Sequence, residues 1–316
     1  MIQDKEKLRT YLIEKLRNEY GVGCDRHYVA LSGGVDSSLV TALLCEAFGA
    51  ENVVALYRNL HSNPVHWEHA QMLQQKFGFK LIYINAEPLD ELLNKQLRTQ
   101  FELQGLRWSD DGSQKQKNAD MVAFSSGRSR FNTWAGGIVS KKIDEGGGRI
   151  YGTGNGEEDY VLRYFDKFGD GAVDNNILAG LNKAEVRQLA LYLGVPREIV
   201  VKTPSADLEA SGDAHNDEDQ LSAWAQSMGY NIRISYGAPD GSREGNVAWA
   251  WREDLKYGLL SCEDEILALK MFHRDYIDEQ KKLIQFLCKL RKKTQHKVLG
   301  IPGTDRRELM NLNLVD

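Results

Sequence analysis

The stretch of sequence that decides the fold is YVALSGGVDSS, residues 28–38. Its first four residues are largely apolar and stop at a glycine turn, which predicts a short buried strand over Tyr28–Leu31. A helical pattern follows from about Ser37 to Phe48 and ends at Gly49. A strand, a glycine-rich turn and a helix start in succession aim backbone N–H groups and the positive end of the helix dipole at one anion. The stretch therefore predicts an anion-binding turn at the carboxyl end of a strand.

Outward from this turn, strand and helix patterns alternate with short connections. Further strand patterns lie at 53–57, 81–84 and 149–152, and helix patterns lie at 5–20, 67–77, 89–101, 120–134, 157–167, 183–193 and 281–293. Such alternation is typical of parallel strands joined by right-handed crossover helices. We therefore predict an α/β fold, a doubly wound parallel sheet flanked by helices. Residues 203–245 lack strong periodicity and receive no assignment.

Composition excludes several classes of protein. The chain has 316 residues, of which 42% are hydrophobic, enough to bury a sizeable core. Lys plus Arg number 40 and Asp plus Glu 45, and the resulting net charge of -5 argues against a protein that coats nucleic acid or an anionic membrane. No apolar run approaches the roughly 20 residues of a membrane helix, and the N-terminal residues do not predict a secretory signal. The four cysteines form no C-x-x-C pair, so we expect a reduced, cytoplasmic enzyme.

The glycine turn has the chemistry of a pyrophosphate site. Gly33 and Gly34 let the backbone fold tightly, and Asp36 supplies a carboxylate where a Mg²⁺ that bridges phosphates would need one. No lysine follows as in the G-x-x-x-x-G-K-[ST] loop, and the spacing is not that of the G-x-G-x-x-G dinucleotide fingerprint. The plain alternative is a helix cap after a glycine turn.

The motif SGGxDS after an apolar strand resembles the signature of the N-type ATP pyrophosphatases, which cleave ATP between the α- and β-phosphates and adenylate a substrate oxygen. Later blocks resemble, in the same order, those of the ammonia-dependent NAD synthetase family within that superfamily. They are GTGNGEED at 152–159, YFDKFGDG at 164–171, LNK at 181–183, LGVP at 193–196, KTPSADL at 202–208, DEDQL at 217–221 and HK at 296–297. The similarity covers most of residues 27–300 and implies the adenine nucleotide alpha hydrolase-like fold.

This resemblance implies an activity. It implies ATP-dependent amidation of deamido-NAD (nicotinic acid adenine dinucleotide) to NAD through an acyl-adenylate, with ammonia as nitrogen donor and AMP and pyrophosphate as products. Amidation of nicotinate mononucleotide or another carboxylate is one alternative. An RNA-modifying adenylating enzyme is another, but it would need a basic face with an RNA-binding appendage or catalytic cysteines, so no nucleic-acid partner is expected. A nucleotide-binding sensor without turnover is the non-enzymatic alternative.

The resemblance also implies site residues. ATP would contact Ser32, Gly33, Gly34, Asp36, Ser37, Ser38, Thr153, Lys183 and Ser205, and deamido-NAD would contact Arg128, Lys167, Asp174, His296 and Lys297. Asp36 and Glu158 would bind Mg²⁺, with Glu157 and Asp159 as open alternatives for the second carboxylate. The candidate catalytic residues are Asp36, Glu158 and Asp170, the last as a partner that desolvates ammonia.

The same resemblance implies one NAD synthetase-like domain over residues 1–316 that works as a homodimer. No glutaminase domain is expected, so free ammonia is the implied donor unless a separate glutaminase docks. Residues 229–260 match nothing in the family and form an unassigned insertion. Two departures lie within the motifs, Gly154 where many relatives have Asp and Asp166 where Thr is usual. Both bear on the identity of the carboxylate substrate more than on the ATP chemistry.

Three histidines, His61, His66 and His69, invite a metal interpretation. Their spacing matches no known ligand pattern. Histidines on helix surfaces are far commoner than such sites. We therefore expect surface positions on a helix rather than a metal centre.

Overall fold

The computed structural model describes residues 1–106, 108, 113–142, 147–203, 216–261 and 276–298. Within these ranges, a parallel four-stranded sheet has the order β3-β2-β1-β4. Its strands are β1 (His27–Ala30), β2 (Val53–Asn59), β3 (Lys80–Asn85) and β4 (Arg149–Tyr151). The chain moves outward from β1 to β3 and then crosses back to β4. The order therefore reverses beside the glycine turn, where open α/β sheets bind their ligands.

Helices connect and cover the strands of the sheet. In the described part of the chain the α-helices are α1 (Lys5–Lys15), α2 (Val35–Phe48), α3 (Pro64–Phe77), α4 (Glu87–Leu103), α5 (Gln114–Lys142), α6 (Lys183–Tyr192), α7 (Arg197–Val201), α8 (Asp217–Ser227), α9 (Asn246–Tyr257), α10 (Asp278–Lys293) and α11 (Gln295–Val298). Two π-helical turns span Leu16–Tyr20 and Glu157–Leu162. None of the described helices is both long and apolar enough to cross a bilayer.

The two faces of the sheet pack against different helices. On one face, α1, α2, α3 and α6 enclose the main core, where Val29, Leu39 and Leu43 are completely buried. On the other face, α5 packs on β1 and β4, with Ala135 against Tyr28. Apolar residues on both sides of a strand are what a parallel sheet between two helical layers requires. This architecture confirms the predicted α/β fold.

A second apolar core lies beside the sheet and includes the insertion at 229–260. It joins α8, α9 and α10 to the turn at Glu157–Leu162. Tyr236 of the insertion is completely buried, and Trp251 of α9 packs on the backbone at Gly156, where an added Cβ would lie 2.1 Å from the indole ring. The insertion is therefore packed into the structure beside the motif at 152–159.

Several predicted boundaries were wrong, and each error has a local cause. The helix predicted over 157–167 ends at Leu162, because Arg163 adopts a left-handed conformation with φ 51°. The helix predicted over 5–20 is α-helical only to Lys15 and continues as a π turn. The helix predicted over 120–134 spans Gln114–Lys142, since packing on the sheet outweighs the low helix propensity of its glycines. Helix α8 lies in a region that received no assignment.

Candidate active site

A cleft of about 270 Å³ opens at the carboxyl ends of β1 and β4. The turn after β1 and the first residues of α2 form one side of it. Residues 152–154, Glu158 and Asp159, which follow β4, form a second side, and Ser129 and Thr133 of α5 lie opposite. The cleft therefore lies between the SGGxDS motif and the motif at 152–159, where the strand order of the sheet reverses.

The glycine turn is held in a fixed shape. Gly33 has φ 76°, and a Cβ there would lie 2.4 Å from the carbonyl oxygen of His66, so only glycine fits. Ser37 holds the turn from inside: its hydroxyl accepts from Ser32 N–H at 3.2 Å and lies 3.2 Å from the Gly34 carbonyl. Gly34 is the N-cap of α2, whose first N–H groups have no partner within the helix. The start of α2 therefore offers the cleft donors and the positive end of a dipole.

One buried cation connects the two motifs. The Nζ of Lys183 lies 2.6 Å from Asp36 Oδ2 and 2.8 Å from Glu158 Oε1. Its side chain is 3% exposed, against 16% for Asp36 and 17% for Glu158. Burial alone would lower the pKa of Lys183, but the two carboxylates raise it above its usual value. The ammonium therefore stays charged between them.

The start of α6 explains why Lys183 lies there. Asn182 is the N-cap of a capping box, in which its side chain accepts from Glu185 N–H and the Glu185 carboxylate accepts from Asn182 N–H. The N–H of Lys183, the first helical residue, donates to the buried carboxylate of Glu157. Local capping thus fixes the backbone from which the lysine side chain extends into the site.

The three consecutive acids after Gly156 have different surroundings. Glu157 is completely buried and binds the backbone of Lys183, and burial raises its pKa to about 8. Glu158 shares the Lys183 ammonium with Asp36, and burial raises its pKa while Lys183 opposes that rise. Asp159 accepts from Asn176 Nδ2 at 2.6 Å, and its pKa is raised to about 7, first by burial and then by Glu158. Glu158 is thus the acid that faces Asp36 across the ammonium.

The departure at Gly154 has a steric explanation. A Cβ at Gly154 would lie 2.2 Å from Oδ2 of Asp159. The Asp159 carboxylate therefore occupies the space that a side chain at 154 would need. Asp159 itself lines the cleft.

Asp170 also lines the cleft. Its Oδ1 accepts from Ser129 Oγ at 2.8 Å and from Asp166 N–H at 2.8 Å. Asp166 forms an ion pair with Arg130 at 2.9 Å. These contacts join the 164–171 motif to α5, so the aspartate at 166 has a role in holding this loop.

The residues predicted for the second substrate divide into two groups. Lys167, His296 and Lys297 lie together: Lys167 Nζ donates to the His296 carbonyl at 2.8 Å, and Lys297 Nζ donates to the Arg163 carbonyl at 3.0 Å. Burial lowers the pKa of Lys297. The other two lie elsewhere, with Arg128 buried in α5 and Asp174 accepting from Ile150 N–H at 2.8 Å. None of the five is among the residues that line the cleft.

The predicted ATP contacts mostly lie in the cleft. Ser32, Gly34, Asp36, Ser37, Thr153 and Lys183 line it. Ser38 is completely buried in α2, one helical turn past the glycine pair. Ser205 lies outside the described residues. The roles of all these residues remain predictions.

The expectation that His66 and His69 lie on a helix surface was wrong. They are only 3% and 6% exposed, and their Nδ1 atoms lie 2.9 Å from the Ser32 carbonyl and 3.2 Å from the Gly33 carbonyl. They share one face of α3 with buried Ala70 and Leu73, and this helical spacing is the sequence signal that would have identified them. Among the described residues, no group of three or more His, Cys, Asp or Glu is arranged to hold a metal ion.

The family model for NAD synthase matches residues 6–228 of the chain. The chain belongs to the NAD synthase family. Two curated relatives named NH(3)-dependent NAD(+) synthetase are each 32% identical to it. The one from Methanococcoides burtonii aligns over 70% of this chain and 74% of its own, and the one from Carboxydothermus hydrogenoformans over 74% and 86%. Membership makes this chain a ligase of NAD biosynthesis with ATP as a substrate, as the motifs predicted.

Solved structures show the same fold. The NMN synthetase from Francisella tularensis has a TM-score of 0.67 at 19% identity, with 96% of this chain and 100% of that chain covered. The NH3-dependent NAD synthetase from Campylobacter jejuni has a TM-score of 0.55 at 18% identity, with 95% and 97% covered. Both alignments extend past residue 228, where the family model ends. The NAD synthase fold therefore accommodates the second core.

The two glycines of the NAD synthase turn should respond differently to the same substitution. Gly33→Ala should lower the free energy of unfolding by about 2 kcal/mol or more, because φ is positive and the new Cβ meets a backbone oxygen. Gly34→Ala is the matched control, with φ -91° and 3.4 Å of clearance, and should cost under about 1 kcal/mol. Urea unfolding of both variants measures the difference. Equal losses would contradict the steric argument.

Removal of the buried cation should destabilise the protein. Lys183→Met leaves the carboxylates of Asp36 and Glu158 facing each other, and we expect the free energy of unfolding at pH 7.5 to fall by about 3 kcal/mol. Lys7→Met removes an equal charge from an exposed position of α1 and should change it by less than about 0.5 kcal/mol. Urea titration monitored by circular dichroism measures both values. Similar stability of the two variants would show that the carboxylates do not need the ammonium.

Proposed function

We propose that the chain amidates deamido-NAD to NAD at the expense of ATP, through an acyl-adenylate, with ammonia as nitrogen donor and AMP and pyrophosphate as products. The observation that carries this proposal is the single cleft in which the start of α2 faces the cluster of Asp36, Lys183 and Glu158. The start of α2 can bind an anion, and the carboxylates beside it can bind a cation. Together they suit a nucleotide whose phosphates share a cation with the protein. Family membership supports the same reaction class.

The terminal phosphates of ATP would bind the turn after β1. Ser32, Gly34 and Ser37 line the cleft there, and the first N–H groups of α2 supply donors to anionic oxygens. Lys183 carries positive charge at the same end of the cleft. These groups would stabilise the charge that accumulates on the leaving pyrophosphate.

The donor set fits a Mg²⁺ ion that is shared with phosphates. Asp36 and Glu158 offer hard carboxylate oxygens within reach of one cation, since the Lys183 ammonium already bridges them. Two carboxylates are too few to complete an octahedral site, so ATP and water would supply the other ligands. When bound, the ion would neutralise charge on the pyrophosphate. We therefore propose Asp36 and Glu158 as the magnesium ligands.

The chemistry follows from the substrate. A pyridine carboxylate is a poor electrophile, because its charge repels nucleophiles and oxide does not leave. In the first step, a carboxylate oxygen bonds to the α-phosphorus, and the bond to the β-phosphate oxygen breaks with its electron pair on pyrophosphate. In the second step, ammonia bonds to the acyl carbon, AMP departs with the electron pair of the C–O bond, and a proton is released. The protein would mainly align the reactants and stabilise the developing charge.

Ammonia can attack without a general base if it arrives unprotonated. Asp170 lines the cleft and is held by Ser129 Oγ at 2.8 Å, so we propose it as the partner that desolvates ammonia. The names of the curated relatives support free ammonia as the donor, and a separate glutaminase would be an alternative source. A cytoplasmic location belongs to the same proposal.

The distal part of the dinucleotide would bind near α11. Lys167 and Lys297 bring two cations to this region, and cations suit a pyrophosphate. Arg128 and Asp174, which lie apart from them, are proposed contacts on the resemblance alone. Because none of these residues lines the cleft, we propose that the complete dinucleotide site needs the boundary between two subunits.

A homodimer has a candidate contact surface on α4. This helix has no buried residue, and its exposed apolar side chains recur at helical spacing along one face. They are Leu89, Leu92, Leu93 and Leu97, which are 41–55% exposed. A contiguous apolar face of this kind is typical of an interaction site. We therefore propose that α4 contributes to the subunit interface.

The proposed reaction can be tested with a panel of acceptors. With ATP, Mg²⁺ and ammonia, deamido-NAD should give AMP, pyrophosphate and NAD, measured by chromatography and a pyrophosphate assay. Asp36→Asn should lower pyrophosphate release by on the order of 100-fold, because it removes a carboxylate from the phosphate end of the cleft. Glu14→Gln, which removes an exposed charge from α1, is the control.

Other products would decide against this reaction. Amidation of nicotinate mononucleotide in preference to deamido-NAD would agree with acyl-adenylate chemistry but contradict deamido-NAD as the substrate. ADP with orthophosphate would contradict acyl-adenylate formation. Tight ATP binding without turnover of any acceptor would favour a nucleotide sensor.

The proposed subunit interface gives a separate prediction. Leu92→Glu combined with Leu93→Glu should convert a dimer to a monomer, because two buried charges would oppose association. Val22→Glu alters an apolar side chain that is 56% exposed outside α4 and should leave the dimer intact. Light scattering after size-exclusion chromatography measures the mass. A wild-type monomer, or a double variant that stays dimeric, would refute the interface.

A further inference from the structure

Two buried histidines support the glycine turn from behind. His66 and His69 lie one helical turn apart on α3, and their Nδ1 atoms contact the consecutive carbonyls of Ser32 and Gly33 at 2.9 Å and 3.2 Å. Bonds to these carbonyls orient the peptide units of the turn. The peptide after Ser32 and the peptide after Gly33 each present an N–H on the side opposite to the bonded oxygen. The histidines therefore help to fix the orientation of these two peptide units.

The contacts of His66 define its protonation state. A backbone carbonyl only accepts, so Nδ1 of His66 must carry a proton. The Nζ of Lys202 contacts the same ring, 2.6 Å from Nε2 and 3.2 Å from Nδ1. A positive charge this close disfavours a second proton on the ring, so we infer that His66 is a neutral imidazole that donates to the turn through Nδ1 and contacts Lys202 through the ring.

Lys202 lies at the cleft on a different segment from the turn. It follows α7, and together with Thr203 it lines the cleft near Ser32 and Gly34. The ring of His66 contacts the ammonium of Lys202, whereas two carboxylates contact the ammonium of Lys183. An ammonium has three donors and is well suited to a phosphate. Lys202 thus brings positive charge to the end of the cleft that would receive the phosphates.

We propose that His66 is a positioning residue that holds the glycine turn and Lys202 in a fixed position relative to each other. We also propose that Lys202 binds the terminal phosphates of ATP. The inference rests on the proposed ATP-dependent function. It adds a second cation, besides Lys183, to the cleft. It also explains why a histidine is buried at the start of α3.

Four variants separate the two contacts of His66. His66→Asn retains a donor near the position of Nδ1, and His66→Gln retains a polar amide near the part of the ring that Lys202 contacts. His66→Leu removes both contacts, and Lys202→Met removes the ammonium. His61→Asn is the matched control, because His61 is in the same segment and has φ 55°, which asparagine tolerates.

The expected result is a selective change in the requirement for ATP. His66→Leu should raise the KM for ATP about tenfold and change the KM for the carboxylate substrate by less than about twofold. His66→Asn and His66→Gln should each recover part of this loss. The variant that combines His66→Leu with Lys202→Met should show a rise smaller than the product of the single rises, because the two residues act together. His61→Asn should resemble the wild type.

Other results would overturn the inference. A lower kcat with unchanged KM for ATP in the His66 variants would indicate a merely structural role, as would independent effects of His66 and Lys202. If His66→Leu does not fold, the Asn and Gln variants and Lys202→Met provide the same comparison.

Calorimetric titration with ATP and Mg²⁺ separates this inference from the proposed function. If the wild type releases no pyrophosphate with any acceptor, the proposed function fails, but the Kd for ATP should still rise about tenfold in His66→Leu. If the wild type releases pyrophosphate and the Kd and KM for ATP are unchanged in the His66 and Lys202 variants, only the inference fails.

Discussion

The ammonium of Lys183 between Asp36 and Glu158 is the interaction on which the rest of the site depends. It joins three segments that are far apart in sequence, namely the start of α2, the turn after β4 and the start of α6. Carboxylates with so little exposure to water would repel each other if the cation were absent. Because the ammonium of Lys183 balances their charge, the two carboxylates can lie close to the start of α2, which attracts anions. One cleft therefore combines the N–H donors of a helix start with a pair of carboxylates that share a cation.

Residues 229–260 also contact this charged cluster and the residues beside it. The ring of Tyr236 lies 5.6 Å from the ammonium of Lys183, and its backbone N–H donates to Glu218 at 2.7 Å. Trp251 packs against Gly156, directly before the three acids. The second core therefore contributes to the environment of the charged cluster.

The sequence predicted the parts of the site that are encoded locally. The residues from Ser32 to Ser37 had to form a turn between a strand and a helix, because glycines and a helical pattern follow an apolar run. It could not distinguish Glu157, Glu158 and Asp159, since a π turn rather than a regular helix orients these consecutive side chains. Lys183 resembled a solvated lysine for a different reason. Its burial depends on acids that lie 25 and 147 positions away.

By itself, the sequence determined the parallel α/β architecture, the glycine turn between strand and helix, and the family, because these follow from local periodicity and from motifs in a fixed order. Only the tertiary structure decided which acid faces Asp36, that His66 and His69 hold the turn, and that 229–260 forms part of a core. Each of these depends on side chains that meet across the molecule. Local pattern specifies where a helix runs and which face is apolar, but the partner of a buried charge or ring is set by the packing of distant segments.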